Sequence, residues 1–497
     1  MGAGVRRDVF MGRAAAQDLL WKQDPAPVAG VLGLSGPEAW IAFDEEVRRI
    51  GRGYDPPPRG KRLEARLCDP DGQIRAAALA AWRFPPLPLV LIRCADWAPP
   101  VRERARRVLG RLVAKYPADV LALLTPLALR LGAREHGGWA VEQLEAALTG
   151  RYSLLTAWWR PGRPSTTWEW TSLPPAQRAA VLERLHRDAD LPARRFAARL
   201  AIGAGRTGVR ELARRAADEP DPVTARLWTD AALAVMAADG PDDAALDALL
   251  RGRHPMVRSA GVTALRRAGR AAEAAAHLAD RSGLVRACAR WLLRQDGGDA
   301  RAHYRELLAD PAGCSPYAVT GLAECGERAE AEPLLRELLD HRAGAVRAAA
   351  AAGLRRLDIR VEDARLLPLL DDSAPAAPRE AALSLLPVAW RLDPVELAPR
   401  TTPGRRPATR RAAFRLLCAQ GGIAALRAAV DLAADPDPGI RRAARTALRR
   451  RDWWAGLRES GADGAELREL LARSAELFED HELGLLLRLL VPRREIQ

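Results

Sequence analysis

The chain is poor in lysine, in aromatic residues and in cysteine, and each shortage excludes something. Only three of its 77 basic residues are lysine (Lys22, Lys61 and Lys115), so its positive charge is almost entirely guanidinium. Aromatic residues make up 5% of 497 positions, with 14 Trp against 5 Tyr and 6 Phe. With 48% hydrophobic residues there is ample material to bury, but the core must be assembled mainly from Ala, Leu and Val. That suits close-packed helices and excludes a sheet built on β-branched and aromatic strands. The six cysteines (Cys68, Cys94, Cys288, Cys314, Cys325 and Cys418) are scattered and form no Cys-x-x-Cys pair. This argues against a disulfide framework or a zinc–thiolate site. The stretch "PVAGVLGL" (27–34) is far too short to span a bilayer, and no apolar run of signal-peptide length follows the first charges. The expectation is a soluble cytoplasmic protein with no membrane partner.

The formal net charge is +14, and its distribution is uneven. Residues 1–133 carry 21 basic and 14 acidic groups, and residues 134–399 carry 37 and 36. Residues 400–451 carry 13 and 3, and residues 452–497 carry 6 and 10. Abundant Arg beside abundant Ala is what a GC-rich genome produces without functional demand. A concentration of ten excess charges in one fifty-residue stretch is not explained that way.

One phrase recurs. It reads "DPDGQIRAAALAAW" from Asp69, "DWAPPVRERARRVLG" from Asp96 and "DEPDPVTARLWTDAAL" from Asp218. It returns as "DRSGLVRACARWLLR" from Asp280, "DHRAGAVRAAAAAGLRRL" from Asp340 and "DPDPGIRRAARTALRRR" from Asp435. An arginine follows the turn at Arg226, Arg258, Arg286, Arg347, Arg379, Arg410 and Arg441, at spacings of 32, 28, 61, 32, 31 and 31. The spacing of 61 is two periods, with "DPAGCSPYAVTGLAECG" from Asp310 in the missing register. Self-similarity near thirty residues is the mark of a solenoid. The grammar is physical: Asp caps a helix, Pro fits its first turn, and apolar residues at three- and four-residue spacing form one buried stripe. A second amphipathic segment follows each time, so the unit is a helical hairpin.

With these residues on the page, the units resemble the short HEAT-like repeats first named from phycobilisome lyases, over roughly residues 60–130 and 176–451. The resemblance implies an all-α chain, an α-solenoid of about ten helical hairpins with helical end caps. The expected organisation is an N-terminal helical cap at 1–59, first repeats at 60–133, a Trp-rich insert at 134–175, the main repeat array at 176–451 and an acidic C-terminal cap at 452–497. That family includes scaffolds, lyase subunits and nucleic-acid enzymes, so the resemblance alone does not give a function.

Catalytic constellations are absent from the sequence. "GAGRTG" (203–208) has the spacing of a dinucleotide loop, but it follows a helical pattern and not a strand, and reads as an inter-helix turn. The seven histidines (His136, His186, His254, His277, His303, His341 and His481) show no paired metal spacing. No catalytic residue, metal or cofactor is assigned. The Asp and Arg of the repeated turn read as a structural ladder between units, or else as a solvent-facing stripe.

Two segments are candidate contact sites. "WWRPGRPSTTWEW" (158–170) supplies Trp158, Trp159, Arg160, Arg163, Trp168 and Trp170, with Trp139 just upstream. These rings either seal a broken repeat junction or form a platform of the Trp/Arg kind found at interface hot spots. The second segment is a basic block: Arg400, Arg405, Arg406, Arg410, Arg411, Arg441, Arg442, Arg445 and Arg449. It suits phosphates, an acidic protein or the acidic end of the same chain. The leading expectation is a non-enzymatic scaffold that binds a protein partner. The alternative is a DNA-binding or DNA-repair protein resembling the HEAT-like alkylpurine DNA glycosylases, with a chromophore-lyase subunit as a third reading. A nucleic-acid partner would make binding strongly salt-dependent.

Overall fold

A computed structural model of the protein describes residues 3–33, 35–53, 62–81, 86–115, 117–149, 173–310, 313–450 and 463–490. Among the described residues every regular element is a helix. The chain divides into two compact units, Met1–Gly261 and Val262–Gln497. Within each unit, helices that open after the recurring turn lie beside one another. In the first they are Gly72–Ala80 (α1), Pro99–Lys115 (α2), Leu191–Gly203 (α3) and Pro222–Asp239 (α4). Helix Pro255–Ala264 (α5) begins in the first unit and runs across its boundary. In the second unit they are Gly283–Gln295 (α6), Pro316–Cys325 (α7), Gly344–Arg356 (α8), Ala376–Leu385 (α9), Pro407–Gln420 (α10) and Pro438–Leu448 (α11).

The turn residues account for the helix starts. Asp71, Asp190, Asp221 and Asp437 precede α1, α3, α4 and α11, and each accepts a hydrogen bond from a backbone N–H of the first turn. Those donors have no partner inside the helix, so the carboxylate supplies one. Proline stands in the first turn of α3, α4, α7, α10 and α11, where its missing N–H is no loss. In the second unit α7 packs on α8, α8 on α9 and α9 on α10, while shorter segments such as Arg328–Glu337 cover the same layer. In the first unit α1 packs on α2, and α3 on α4. Each unit is therefore a stack of helical pairs, and the all-α solenoid expected from the repeat is the fold observed.

The core is as small-residued as the composition requires, and two close approaches depend on glycine. Gly12, in helix Ala3–Trp21, meets the carbonyl of Ala39 in helix Pro37–Gly53. A Cβ at Gly321 in α7 would lie 2.4 Å from the ring of Tyr304, which is fully buried and donates to the carbonyl of Leu278 at 3.0 Å. A tyrosine fits inside an Ala/Leu core here because the facing helix has no side chain at that point.

Most turns carry an arginine six residues beyond their start, and several of these arginines join one repeat to the next. Arg75 donates to the carbonyls of Asp69 and Pro70 at 2.7 and 2.8 Å, closing its own turn. Its other nitrogens form a bidentate pair with Asp96, in the next turn, at 2.9 and 2.8 Å. Arg102, Arg194, Arg258, Arg286, Arg347, Arg410 and Arg441 reach back to turn carbonyls in the same way. The forward grip recurs from Arg194 to Glu219, from Arg347 to Asp372 and from Arg410 to Asp435. In α7 the turn has no such arginine, and Arg286 and Arg290 of α6 both bind Glu324. The planar guanidinium suits this double duty, since one edge serves carbonyls and the other a carboxylate.

This geometry corrects the register read from the sequence in two places. Arg226 and Arg379 lie one residue beyond the joining position, which is held by Ala225 and Pro378. Arg226 is exposed and lies 3.5 Å from Asp230 on its own helix, and Arg379 pairs with its neighbour Glu380. Neither side chain has a cross-repeat contact among the described residues. Arg75 and Arg194 are joining arginines that the sequence series omitted, and Arg102, also omitted, closes its own turn.

Candidate functional site

The basic block occupies the segment before α10, α10 itself and α11, and the structure divides its arginines into two sets. Arg410 is 3% exposed and fully engaged with Asp435 and its own turn. Arg441 donates to the carbonyls of Asp435 and Pro436. Arg400 is held by Asp371 at 2.8 Å, and Arg405 lies 3.8 Å from the same carboxylate. Arg449 donates to the carbonyl of Leu477, and Arg445 to that of Ala433. The remainder face solvent. Arg411 is half exposed and 3.0 Å from Asp437. Arg406 and Arg442 are exposed, as is Arg415, which the sequence reading did not single out. These three side chains have no hydrogen-bond or ion-pair partner among the described residues. The one-residue offset between Arg410 and Arg411 thus separates an arginine that holds repeats together from one that faces solvent.

Of the tryptophan set, Trp139 lies on helix Gly138–Thr149, half-buried against the core, with the Arg106 guanidinium 4.6 Å from its ring centroid. Trp158, Trp159, Arg160, Arg163, Trp168 and Trp170 lie outside the described residues.

A buried ionic network in the first unit is the feature that sequence reasoning missed. Asp96 binds Arg75, Arg93 and Arg48, and Asp44 binds Arg93 at 2.5 Å and Arg48 at 3.2 Å. Arg75, Arg93, Asp44 and Asp96 are each under 5% exposed. The network ties helix Pro37–Gly53 to the first repeats. Trp40 and Asp44, one helical turn apart on Pro37–Gly53, both lie in the core: Trp40 is 6% exposed, and the Asp44 carboxylate is occupied by two guanidinium groups. No sequence period connects positions 44, 93 and 96, so no signal in the chain announces this cluster.

Burial pushes the thiols of Cys68 and Cys94 well above the ordinary range and that of Cys418 to about 12. Those thiols stay protonated and weakly nucleophilic at neutral pH. Hydrogen bonding to Arg195 holds the Asp221 carboxyl far below the usual range. "GAGRTG" is an inter-helix turn between α3 and helix Val209–Asp218, with Gly205 at φ +65°. No group of metal-ligating side chains occurs among the described residues. Among them, no helix is long and apolar enough to cross a membrane.

His186 has a measurable consequence. Its ring meets Trp228 edge-on, with centroids 5.3 Å apart. Desolvation, aided by Arg215 and Arg194 and opposed by Glu183, lowers its pKa from 6.5 to about 4. The unfolded chain therefore binds this proton more readily, and stability is lost as pH falls from about 6.5 to 4. Partial exposure discounts the full shift, leaving on the order of 2 kcal/mol. Urea midpoints measured across that window should fall for the native protein and flatten for His186→Phe, which keeps a ring on Trp228. An equal fall in both would assign the pH dependence elsewhere.

Comparison with known proteins gives no family: no family model and no curated protein matches the chain. Solved structures do match. One is the karyopherin Kap121p bound to the extreme C-terminus of the protein phosphatase Cdc14p (12% identity, TM-score 0.32, covering 97% of this chain and 55% of that one). Another is Kap121p alone (13%, TM-score 0.25, covering 98% and 54%). The chain spans about half the length of these structures.

Proposed function

We propose that this chain is a non-enzymatic, cytoplasmic scaffold of the HEAT-like kind, related in repeat type to the phycobilisome-lyase repeats, which holds a protein partner on its solenoid surface. The supporting observation is that the second unit exposes equivalent positions from one repeat to the next. Leu284 in α6 and Tyr317 in α7 share the second helical position and are 52% and 44% exposed. Arg379, Arg411 and Arg442 share another, in α9, α10 and α11, and all are exposed. A surface that repeats its own chemistry suits an extended partner that touches several repeats in turn. Trp390, 78% exposed, adds a side chain of the type that dominates interface energetics. The Trp139–Trp170 segment and the arginines of 400–449 remain the proposed contact regions, less Arg410, which is buried.

A displayed library of random peptides, selected against the immobilised full chain, tests this reading. The expected result is enrichment of a consensus whose synthetic peptide binds saturably. Failure to enrich any sequence, with saturable duplex DNA binding that weakens steeply with salt, would instead favour the DNA-binding alternative.

A further inference from the structure

The exposed arginines of the second unit follow a spacing that selects a particular partner. Arg379, Arg411 and Arg442 each lie seven residues beyond the first residue of their turn, one past the joining position, in three consecutive repeats. The alignment is anchored by bonds common to those repeats. Arg347 grips Asp372 and Arg410 grips Asp435, which fixes the turns before α9 and α11 in equivalent places. In turn, α9 packs on α10 and α10 on α11. The three side chains therefore form a row across the helices, with Arg415 and Arg445 one further turn along α10 and α11.

Acidic residues are nearly missing from this face. α10 and α11 contain none, and α9 contains only Glu380, which is 5% exposed and bound by Arg355 and Arg379. Asp437, at the cap of α11, takes up part of the charge of Arg411. Arg442 and Arg415 have no carboxylate partner among the described residues. Arg379 and Arg411 are each partly neutralised by a carboxylate and Arg442 is not, so the row keeps a net positive charge.

We propose that this row binds an extended acidic peptide segment with carboxylates at every third residue. This rests on the scaffold reading above and narrows it to a partner chemistry. Packed helices lie about 8–10 Å apart. An extended chain in the polyproline-II conformation has three residues per turn and advances about 3.1 Å per residue, so every third side chain returns to the same face at about 9 Å. A partner with Asp or Glu at i, i+3 and i+6 matches one arginine per repeat. Nucleic acid fits less well, because its charges are far denser, about one per 1.7 Å of duplex axis. Single strands also use exposed aromatic rings for base stacking. The only aromatic residue of α9, α10 and α11 is Phe414, which is 5% exposed.

The test is fluorescence anisotropy with the full chain at low salt and three labelled probes. These are a ten-residue Asp-x-x-Asp-x-x-Asp peptide, a peptide of the same composition with its aspartates contiguous, and a single-stranded oligonucleotide of matched length. The spaced peptide should bind most tightly, and Arg411→Glu/Arg442→Glu should weaken it at least about tenfold with an unchanged melting temperature. Equal binding of both peptides, or no loss in the variant, overturns the proposed spacing. Tighter oligonucleotide binding that is lost in the same variant overturns the peptide in favour of nucleic acid. If the spaced peptide fails while a library-selected peptide still binds, only this inference falls. If both fail, the scaffold reading falls with it.

Discussion

Replacing Asp96 with alanine is expected to cost about 3–5 kcal/mol, the range measured when one partner of a buried ion pair is removed. The reason is the number of groups that depend on this carboxylate. It holds Arg75 with two bonds, touches Arg93 and Arg48, and closes the turn before α2 by accepting from the N–H of Ala98 at 3.0 Å. Without it, the fully buried Arg75 loses its carboxylate, and Asp44 alone is left to Arg93 and Arg48. Arg93 has little reserve, since its Nε already has no partner among the described residues. Asp96→Asn separates the contributions: it keeps the turn hydrogen bond but loses the charge, and should cost less than alanine while staying above the roughly 1 kcal/mol of a single lost hydrogen bond. Urea unfolding followed by circular dichroism reads both. A cost near 1 kcal/mol for alanine would mean that water or rearranged partners satisfy the arginines.

The repeat was legible in the sequence because its signal is periodic. An Asp–Pro turn followed by an apolar stripe, at intervals near 31 residues, survives the loss of any one member, as the arginine-free turn before α7 shows. The exact register was less legible. The sequence offers an arginine near almost every turn, and the nearest one was not always the joining one: Arg226 and Arg379 stand beside Ala225 and Pro378. The rule that would have found the right set, six residues from the turn's first residue, follows from the reach of a guanidinium back to its own turn carbonyls. The candidate site was legible as an excess of charge but not as a surface, because composition weighs Arg410 and Arg411 equally. The network around Asp96 and Asp44 was not legible, since tertiary packing alone brings its members together.

That one-residue difference is the second large expected effect. Arg410 and Asp435 are 4% and 1% exposed at the side chain and share a bidentate pair at 2.9 and 2.8 Å. Arg410→Met keeps an apolar stem in place but leaves a buried carboxylate without its cation, and Asp435 must still cap the N–H of Asp437. The expected loss is again about 3–5 kcal/mol. Arg411 is 52% exposed and its pair with Asp437 is solvated, so Arg411→Met should fall within about 0.5 kcal/mol of the parent.

The most direct measurement is therefore the paired unfolding of Arg410→Met and Arg411→Met under identical conditions. A difference of about 3 kcal/mol or more is predicted, with the loss confined to Arg410→Met. Equal costs for the two would contradict the division of these arginines into those that join the repeats and those left to meet a partner.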